Sequence, residues 1–157
     1  MEFASSAGRA VVVSDQDRQS SNRMGLLTRP RVLLADDHHE LLKRVTSVLA
    51  AEFDVVGSAR NGHELVEQAH AFQPDVVIVD ISMPVLNGID AVQQLVAAGS
   101  TAKFIFLTLH QGTTFVKACF DAGAMAYVAK NRIPVDLVVA VQEVLAGRQF
   151  VSPPLSR

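Results

Sequence analysis

The feature that most constrains the fold is a regular alternation of short apolar runs with longer segments of helical periodicity, which begins at Arg31. The apolar runs predict strands at Arg31–Ala35, Asp54–Ala59, Val76–Val79, Phe104–Leu107 and Met125–Ala129. The segments between and after them predict helices at His38–Ala51, His63–Phe72, Asn87–Ala98, Thr113–Ala122 and Pro134–Ala146. Strict strand-helix alternation builds a parallel sheet with helices on both faces, so we predict an α/β, doubly wound fold.

Composition narrows the class of protein further. Of the 157 residues, 49% are apolar, which is enough to fill one core and excludes a wholly disordered chain. The formal net charge of −2 gives no global reason to bind nucleic acid or an anionic membrane. The single cysteine, Cys119, cannot form an internal disulfide, and we expect it to lie in the core or to be half-buried. No apolar run approaches a membrane span, and no secretory signal is present, so we expect a cytoplasmic protein.

The two ends of the chain differ from its middle. Residues 1–29 are rich in Ser, Arg, Gln and Asp, which predicts a flexible N-terminal extension or an expression remnant. A second methionine, Met24, offers an alternative start. We therefore assign the folded domain to residues 30–148, and residues 149–157 to a C-terminal tail or the start of a linker.

Polar residues follow four of the five predicted strands. Asp36 and Asp37 follow the first strand, Asp80 the third, Thr108 the fourth and Lys130 the fifth. Singly, each has an ordinary explanation, and an aspartate after a strand is often only a helix N-cap. Because the carboxyl ends of parallel strands share one edge, however, we expect these side chains to converge in one crevice.

The chemistry of this group favours phosphoryl transfer. Carboxylates that lie close together repel one another, and this favours a proton or a hard cation such as Mg²⁺. A carboxylate beside the cation can act as a nucleophile and form an acyl phosphate. The cation and the Lys130 ammonium would neutralise the transferring group, while the Thr108 hydroxyl would hydrogen-bond a phosphate oxygen. We therefore predict phosphoryl transfer to an aspartate.

With these residues in place, the chain from about Arg31 to Arg148 resembles a response regulator receiver domain. The motifs that carry the resemblance are Ala35–His38, Asp75–Pro84 with Asn87-Gly88, Leu107-Thr108, and Gly123-Ala124 with Tyr127–Lys130. The resemblance implies a flavodoxin-like (βα)5 sheet of strand order 2-1-3-4-5. It implies that Asp80 is the phosphoacceptor and Lys130 the phosphate-pairing lysine. It also implies a Mg²⁺ site formed by Asp36, Asp37, Asp80 and the Ser82 backbone carbonyl, with Thr108 and Tyr127 as switch residues.

The resemblance also implies a function and partners. A sensor histidine kinase or phosphotransfer protein would phosphorylate Asp80, and the switch would control dimerisation or output; the domain itself would not be an enzyme. The sequence is most similar to the NarL/FixJ subfamily, whose members usually carry a DNA-binding output domain. Since only ten residues follow Gly147, DNA would be bound only through a domain absent here. The alternatives are a stand-alone receiver and, less favoured, a magnesium-dependent phosphatase, which would need a second acid where Ser82 stands.

We predict an effect for each of three further positions that are expected near the crevice. Ser82 and His110 resemble variable positions that flank the phosphorylation crevice, and we predict that they influence the lifetime of the acyl phosphate. Leu109 follows the switch threonine and would narrow access to the phosphoryl group. A transition-metal site at His38-His39 is disfavoured, because consecutive residues at a helix start are expected to point in different directions.

Overall fold

A computed structural model describes residues 28–109 and 113–153 of the chain. Its strands are β1 (Arg31–Ala35), β2 (Asp54–Ala59), β3 (Val76–Asp80), β4 (Lys103–Thr108), β5 (Ala126–Ala129) and β6 (Phe150–Val151). Its helices are α1 (His39–Leu49), α2 (Gly62–Phe72), α3 (Gly88–Ala97), α4 (Thr113–Ala122) and α5 (Ile133–Leu145), with a 3₁₀ turn at Lys130–Arg132. All ten predicted elements are present, and their ends differ from the prediction by at most two residues.

The strands form one parallel sheet of order β2-β1-β3-β4-β5-β6. This confirms the flavodoxin-like fold and the order 2-1-3-4-5 of its first five strands. The last strand, β6, was not predicted, because two residues are too few to show a period-two pattern. It forms where a tail or linker was expected, since Gly147 adopts a left-handed φ of 83° after α5 and turns the chain back along β5.

Alternating strand residues divide the core into two layers. Val32 and Leu34 of β1 face a cluster with the apolar residues of α1 and α5, whereas Leu33 and Ala35 face a cluster with α2, α3 and α4. Every residue of β3 is buried, as its uninterrupted apolar run predicted. Two strands extend one residue beyond their predicted ends, to Asp80 and Thr108, so the sheet itself positions these two polar residues.

Cys119 lies in the second of these layers and is fully buried, which confirms its predicted core position. Burial raises the pKa of its thiol to about 12, so the thiolate is scarce near neutral pH.

Among the described residues, none of the helices combines the length and the apolar character that crossing a membrane requires.

A buried polar network attaches the segment after α5 to the end of β5. Ser152 Oγ accepts a hydrogen bond from the Ala129 amide at 3.1 Å and donates one to Asp136 Oδ2 at 2.7 Å. Arg132 Nε donates to the same Asp136 oxygen at 2.7 Å, and its Nη2 donates to Oδ1 at 3.2 Å. Burial by itself raises the pKa of the Asp136 carboxyl, but the hydrogen bonds from Arg132 and Ser152 hold it below its usual value.

Asp136 should therefore stabilise the fold in a pH-dependent way. Its folded-state pKa lies below the unfolded value, so its contribution is complete above about pH 4 and is lost as the pH falls through the folded pKa. We expect Asp136→Asn to lower the melting temperature at pH 7 by about 5 °C, with a gap that closes toward pH 2. Melting curves over this range test it, with the exposed-pair variant Asp121→Asn as control. A constant gap down to pH 2 would contradict the assignment.

Candidate functional site

The polar residues that follow the strands meet at the carboxyl edge of the sheet. Asp36 and Asp37 come directly after β1, Asp80 and Thr108 end β3 and β4, and Lys130 follows β5. Because β1 and β5 flank β3 and β4 in one parallel sheet, these ends lie on the same side of the molecule. The predicted convergence is therefore observed, and direct contacts join Asp36, Asp80 and Lys130.

Lys130 connects the two buried carboxylates. Its Nζ lies 3.0 Å from Asp36 Oδ2 and 3.3 Å from Asp80 Oδ1, and its side chain is only 10% exposed. Burial raises the pKa of the Asp80 carboxyl, and the charge of Asp36 raises it further. The Lys130 ammonium and the Ser82 amide lower it by less, so the net shift is upward. One ammonium thus faces two carboxylates, and the centre retains an excess of negative charge.

Asp36 is not a helix N-cap. The cap position of α1 is His38, whose side chain makes no capping hydrogen bond. Asp36 Oδ1 instead accepts the His38 amide at 2.8 Å and lies 2.9 Å from His38 Nδ1. Asp36 Oδ2 is buried and, although Lys130 Nζ lies close, receives no hydrogen bond of good geometry. A buried carboxylate oxygen in this condition has a lone pair available for a cation.

The acidic group fits a hard divalent cation. One ligand atom each from Asp36, Asp37, His38 and Asp80 lies within 4.8 Å of the others. Carboxylate oxygens in this number suit Mg²⁺, which takes few protein ligands and keeps several waters. The Ser82 amide is 3.4 Å from Asp80 Oδ1, so the Ser82 backbone borders the group, and its carbonyl as a ligand stays a prediction.

One expectation about the side chains around His38 was wrong. Asp36, Asp37 and His38 were expected to point in different directions, but His38 Nδ1 lies 3.1 Å from Asp37 Oδ1 and close to Asp36. The reason is that His38 has extended backbone angles and precedes the first helical turn. The His38 side chain is nevertheless 68% exposed, and His39 is not among the residues that could hold a metal.

The two predicted switch residues contact each other. Thr108 and Tyr127 are both buried, and their side chains are hydrogen-bonded. Burial raises the pKa of the Tyr127 hydroxyl, and the hydrogen bond with Thr108 offsets part of that shift. Tyr127 lies on β5 three residues before Lys130, and Thr108 pairs with Ala129 in the sheet. The motifs identified both residues, but no local pattern shows that their hydroxyls meet.

Two of the other three predicted positions, Ser82 and Leu109, fall within the described residues. Ser82 is exposed beside Asp80, and Leu109, which follows Thr108, is 76% exposed. His110, the second residue with a predicted effect on acyl phosphate lifetime, lies outside the described residues. The influence of Ser82 and His110 on that lifetime stays a prediction.

Asn87 and Gly88 hold the start of α3 against the end of β3, next to Asp80. The Asn87 side chain accepts the Asp90 amide at 2.9 Å and caps α3, and the Gly88 amide donates to the Ile81 carbonyl at 2.8 Å. A Cβ on Gly88 would overlap the backbone carbonyl oxygen of Asp80. Only glycine therefore allows α3 to start this close to the end of β3.

Gly88→Ala is expected to destabilise the fold by about 3 kcal/mol, because the added methyl group must displace the Asp80 backbone. Denaturant titration of both chains measures the loss. The control is Gly99→Ala, where an added Cβ meets nothing, so that any loss there comes from the positive φ of Gly99, which Gly88 does not share. If Gly88→Ala is no less stable than the native chain, the close approach is not present in solution.

These features together define a class: flavodoxin-like α/β proteins with an acidic, lysine-paired site at the carboxyl edge of the sheet. The family model described as "Response regulator receiver domain" matches residues 32–142, which is most of the chain. The chain belongs to the response regulator receiver domain family. It is thus the receiver domain of a two-component response regulator.

Several proteins with assigned functions are similar to this chain. "Response regulator GacA" of Pseudomonas viridiflava is 32% identical over 129 residues, which cover 81% of this chain and 60% of that protein. "Transcriptional regulatory protein DegU" of Brevibacillus brevis is 30% identical over 78% of this chain and 53% of its own length. A protein-glutamate methylesterase/protein-glutamine glutaminase of Idiomarina loihiensis is 40% identical over 64% of this chain and 27% of its own length. The chain spans about 60% or less of these three relatives.

Solved structures agree with the sequence relatives. A two-component response regulator of the LuxR family from an Aurantimonas species superposes with a TM-score of 0.77 at 31% identity, covering 80% of this chain and 91% of that one. The isolated receiver domain of RcsB from Salmonella enterica, solved with the phosphomimetic BeF3⁻, gives 0.73 at 25% identity, covering 80% and 94%. The structural neighbours thus include LuxR-family response regulators.

Proposed function

We propose that Asp80 accepts a phosphoryl group from a sensor histidine kinase or a phosphotransfer protein in a Mg²⁺-dependent reaction. The observation that supports this most strongly is the buried contact of Lys130 Nζ with both Asp36 and Asp80. Two buried carboxylates that share one ammonium are costly as a purely structural pair. They are suited to a centre that gains a cation and a phosphoryl group.

The chemistry follows from the positions of these groups. An oxygen of Asp80 attacks phosphorus, a new O–P bond forms, and the bond to the donor's leaving group breaks with its electron pair leaving on that group. Lys130, 3.3 Å from Asp80 Oδ1, pairs with the charge of the incoming phosphoryl oxygens. Asp36, Asp37, Asp80 and the Ser82 carbonyl would hold Mg²⁺, which supplies positive charge to those oxygens when bound.

Thr108 and Tyr127 would transmit the change. The Thr108 hydroxyl, now bonded to Tyr127, would turn to donate to a phosphoryl oxygen, and Tyr127 would lose its partner. A new charge beside such a two-state pair is a common way to bias a conformational equilibrium. The expected consequence is a remodelled surface at β5 and the neighbouring helices, which would alter homodimerisation or contact with an output domain.

We further propose that this receiver, residues 30–148, is the N-terminal part of a cytoplasmic transcriptional regulator. Support comes from the GacA and DegU relatives, of whose length the chain spans 60% and 53%. DNA would then be bound by an output domain and not by the receiver. A stand-alone receiver that acts through protein contacts is the alternative. The family match makes a phosphatase the weakest candidate, and Ser82 supplies no second acid.

The experiment is intact mass measurement after incubation with acetyl phosphate. With Mg²⁺, the native chain should gain one phosphoryl group, and it should gain none after chelation. Asp80→Ala should gain none under either condition, and Asp121→Ala, which changes an exposed carboxylate, should behave like the native chain. An unmodified native chain, or an equal adduct on Asp80→Ala, would contradict the proposal.

A further inference from the structure

Within the segment after α5, Ser152 is bonded to β5 through both its backbone and its side chain. Its amide donates to the Tyr127 carbonyl at 2.9 Å, and its Oγ accepts the Ala129 amide at 3.1 Å. These two groups lie on the edge of β5 that β6 covers. Ser152 is itself buried, so its bonds are shielded from competing water.

The Asp136 carboxylate is connected by hydrogen bonds to residues that precede and follow Lys130 in the sequence. On the N-terminal side, the Ala129 amide reaches it through Ser152 Oγ, 2.7 Å from Asp136 Oδ2. On the C-terminal side, Arg132 in the 3₁₀ turn donates two hydrogen bonds to the same carboxylate. Asp136 is only 5% exposed and has both oxygens satisfied. We call Ser152, Asp136 and Arg132 the β5 clamp.

The clamp contains more hydrogen bonds than are needed to cover the free edge of β5. Backbone hydrogen bonds from Phe150 and Ser152 already satisfy the carbonyls of Met125, just before β5, and of Tyr127 within it. The additional buried, charged network is built around the short stretch 129–132, whose second residue carries the ammonium between Asp36 and Asp80. An ordinary edge would not require a buried aspartate, since burying a charge is favourable only with full pairing.

We infer that Ser152 and Asp136 are positioning residues: they fix the backbone that carries Lys130, and they couple the segment leaving the domain to the occupancy of Asp80. The inference rests on the proposed phosphorylation of Asp80. A shift of the Lys130 backbone toward a phosphoryl group would strain the hydrogen bonds of Ala129 and Arg132, which lie one residue before and two residues after Lys130 and are both bonded into the clamp. By linkage, a change at the exit segment then alters the free energy of binding a phosphoryl mimic at Asp80, and occupancy of Asp80 alters the exit segment by the same free energy.

The test uses Ser152→Ala and Asp136→Asn in the full chain, with two controls. Arg148→Ala removes the exposed Glu143–Arg148 pair from the same segment without touching β5. Val144→Ala removes buried volume from α5 outside the clamp, which controls for lost stability. All measurements are made at equal distance below each variant's melting temperature, so that a simple loss of stability does not count as an effect.

Two quantities are measured. The first is the rate of Asp80 phosphorylation by acetyl phosphate at several Mg²⁺ concentrations. We expect both clamp variants to slow it about five-fold or more at saturating Mg²⁺, with unchanged half-saturation, because Lys130 and not the acidic cluster is displaced. The second is hydrogen exchange of residues 148–153 with and without beryllofluoride. We expect it to change on binding in the native chain and in both controls, but not in Ser152→Ala.

The outcomes separate this inference from the function on which it rests. If the native chain is phosphorylated and the clamp variants match Val144→Ala in both measurements, Ser152 and Asp136 have a structural role only and the coupling is wrong. If the native chain is not phosphorylated at all, the proposed function fails and the inference fails with it. Loss of the beryllofluoride response in Ser152→Ala, with the response kept in Arg148→Ala, supports the coupling.

Discussion

Lys130→Met is expected to abolish the phosphorylation-dependent response and to destabilise the fold by about 3 kcal/mol at neutral pH without divalent cations. The variant keeps most of the side-chain volume but leaves Asp36 and Asp80, both nearly fully buried, without their shared ammonium. Because Asp36 and Asp80 both have an oxygen within 3.3 Å of Lys130 Nζ, the two carboxylates repel each other once the ammonium is removed. Urea titration in the presence of a chelator measures the loss.

The same titration with Mg²⁺ tests whether Lys130→Met loses stability because of uncompensated charge or because of altered packing. If the cost is the uncompensated charge of the acidic group, Mg²⁺ should restore a larger share of the free energy of unfolding in Lys130→Met than it adds to the native chain. The control is Lys117→Met, which removes an exposed ammonium paired with Asp121 and should change stability little. Equal stability of Lys130→Met and the native chain in chelator would contradict the observed contacts.

Asp80→Asn is expected to raise the melting temperature, by about 5 °C at pH 7 in chelator. Burial and the charge of Asp36 raise the pKa of Asp80, so the ionised form is disfavoured in the fold. For a group with a raised folded-state pKa, stability is greatest below the unfolded value of about 4 and falls as the pH rises through the folded value. The amide variant avoids this loss and leaves Lys130 to pair with Asp36 alone.

The pH dependence gives the sign of this effect an independent check. The gap between Asp80→Asn and the native chain should be largest at neutral pH and should close as the pH falls toward 4. Saturating Mg²⁺ should also reduce it, because the cation stabilises the native carboxylates. Asp121→Asn, at an exposed ion pair, serves as the reference for removing a carboxylate at the surface. A lower melting temperature for Asp80→Asn at neutral pH would show that Asp80 stabilises the fold.

Much of this architecture could be predicted from local patterns. The uninterrupted apolar run of β3 predicted a strand buried on both faces. The polar residues after four of the five predicted strands predicted one crevice, because parallel strands end at the same edge. The pairing of Lys130 with two carboxylates follows from that topology. The sequence supplied the residue types, and the strand order supplied their proximity.

The features that could not be predicted depend on long-range contacts or very short elements. β6 has only two residues, and the Ser152–Asp136–Arg132 network depends on a contact between α5 and a residue 16 positions further along the chain, which local periodicity does not show. His38 reaches Asp36 because the chain is extended before α1, and helical geometry does not describe that position. The hydrogen bond between Thr108 and Tyr127 likewise requires the register of β4 and β5.

The central claim is that Asp80 is the phosphoryl acceptor, and the most direct test is to locate the modified residue. After treatment with acetyl phosphate and Mg²⁺, borohydride reduces an acyl phosphate on aspartate to homoserine, which peptide mass spectrometry can assign to one position. We predict homoserine at position 80, and at neither Asp36 nor Asp37, with none in chelator. Homoserine at position 36 or 37 with Asp80 intact, or no homoserine at any aspartate, would contradict the account.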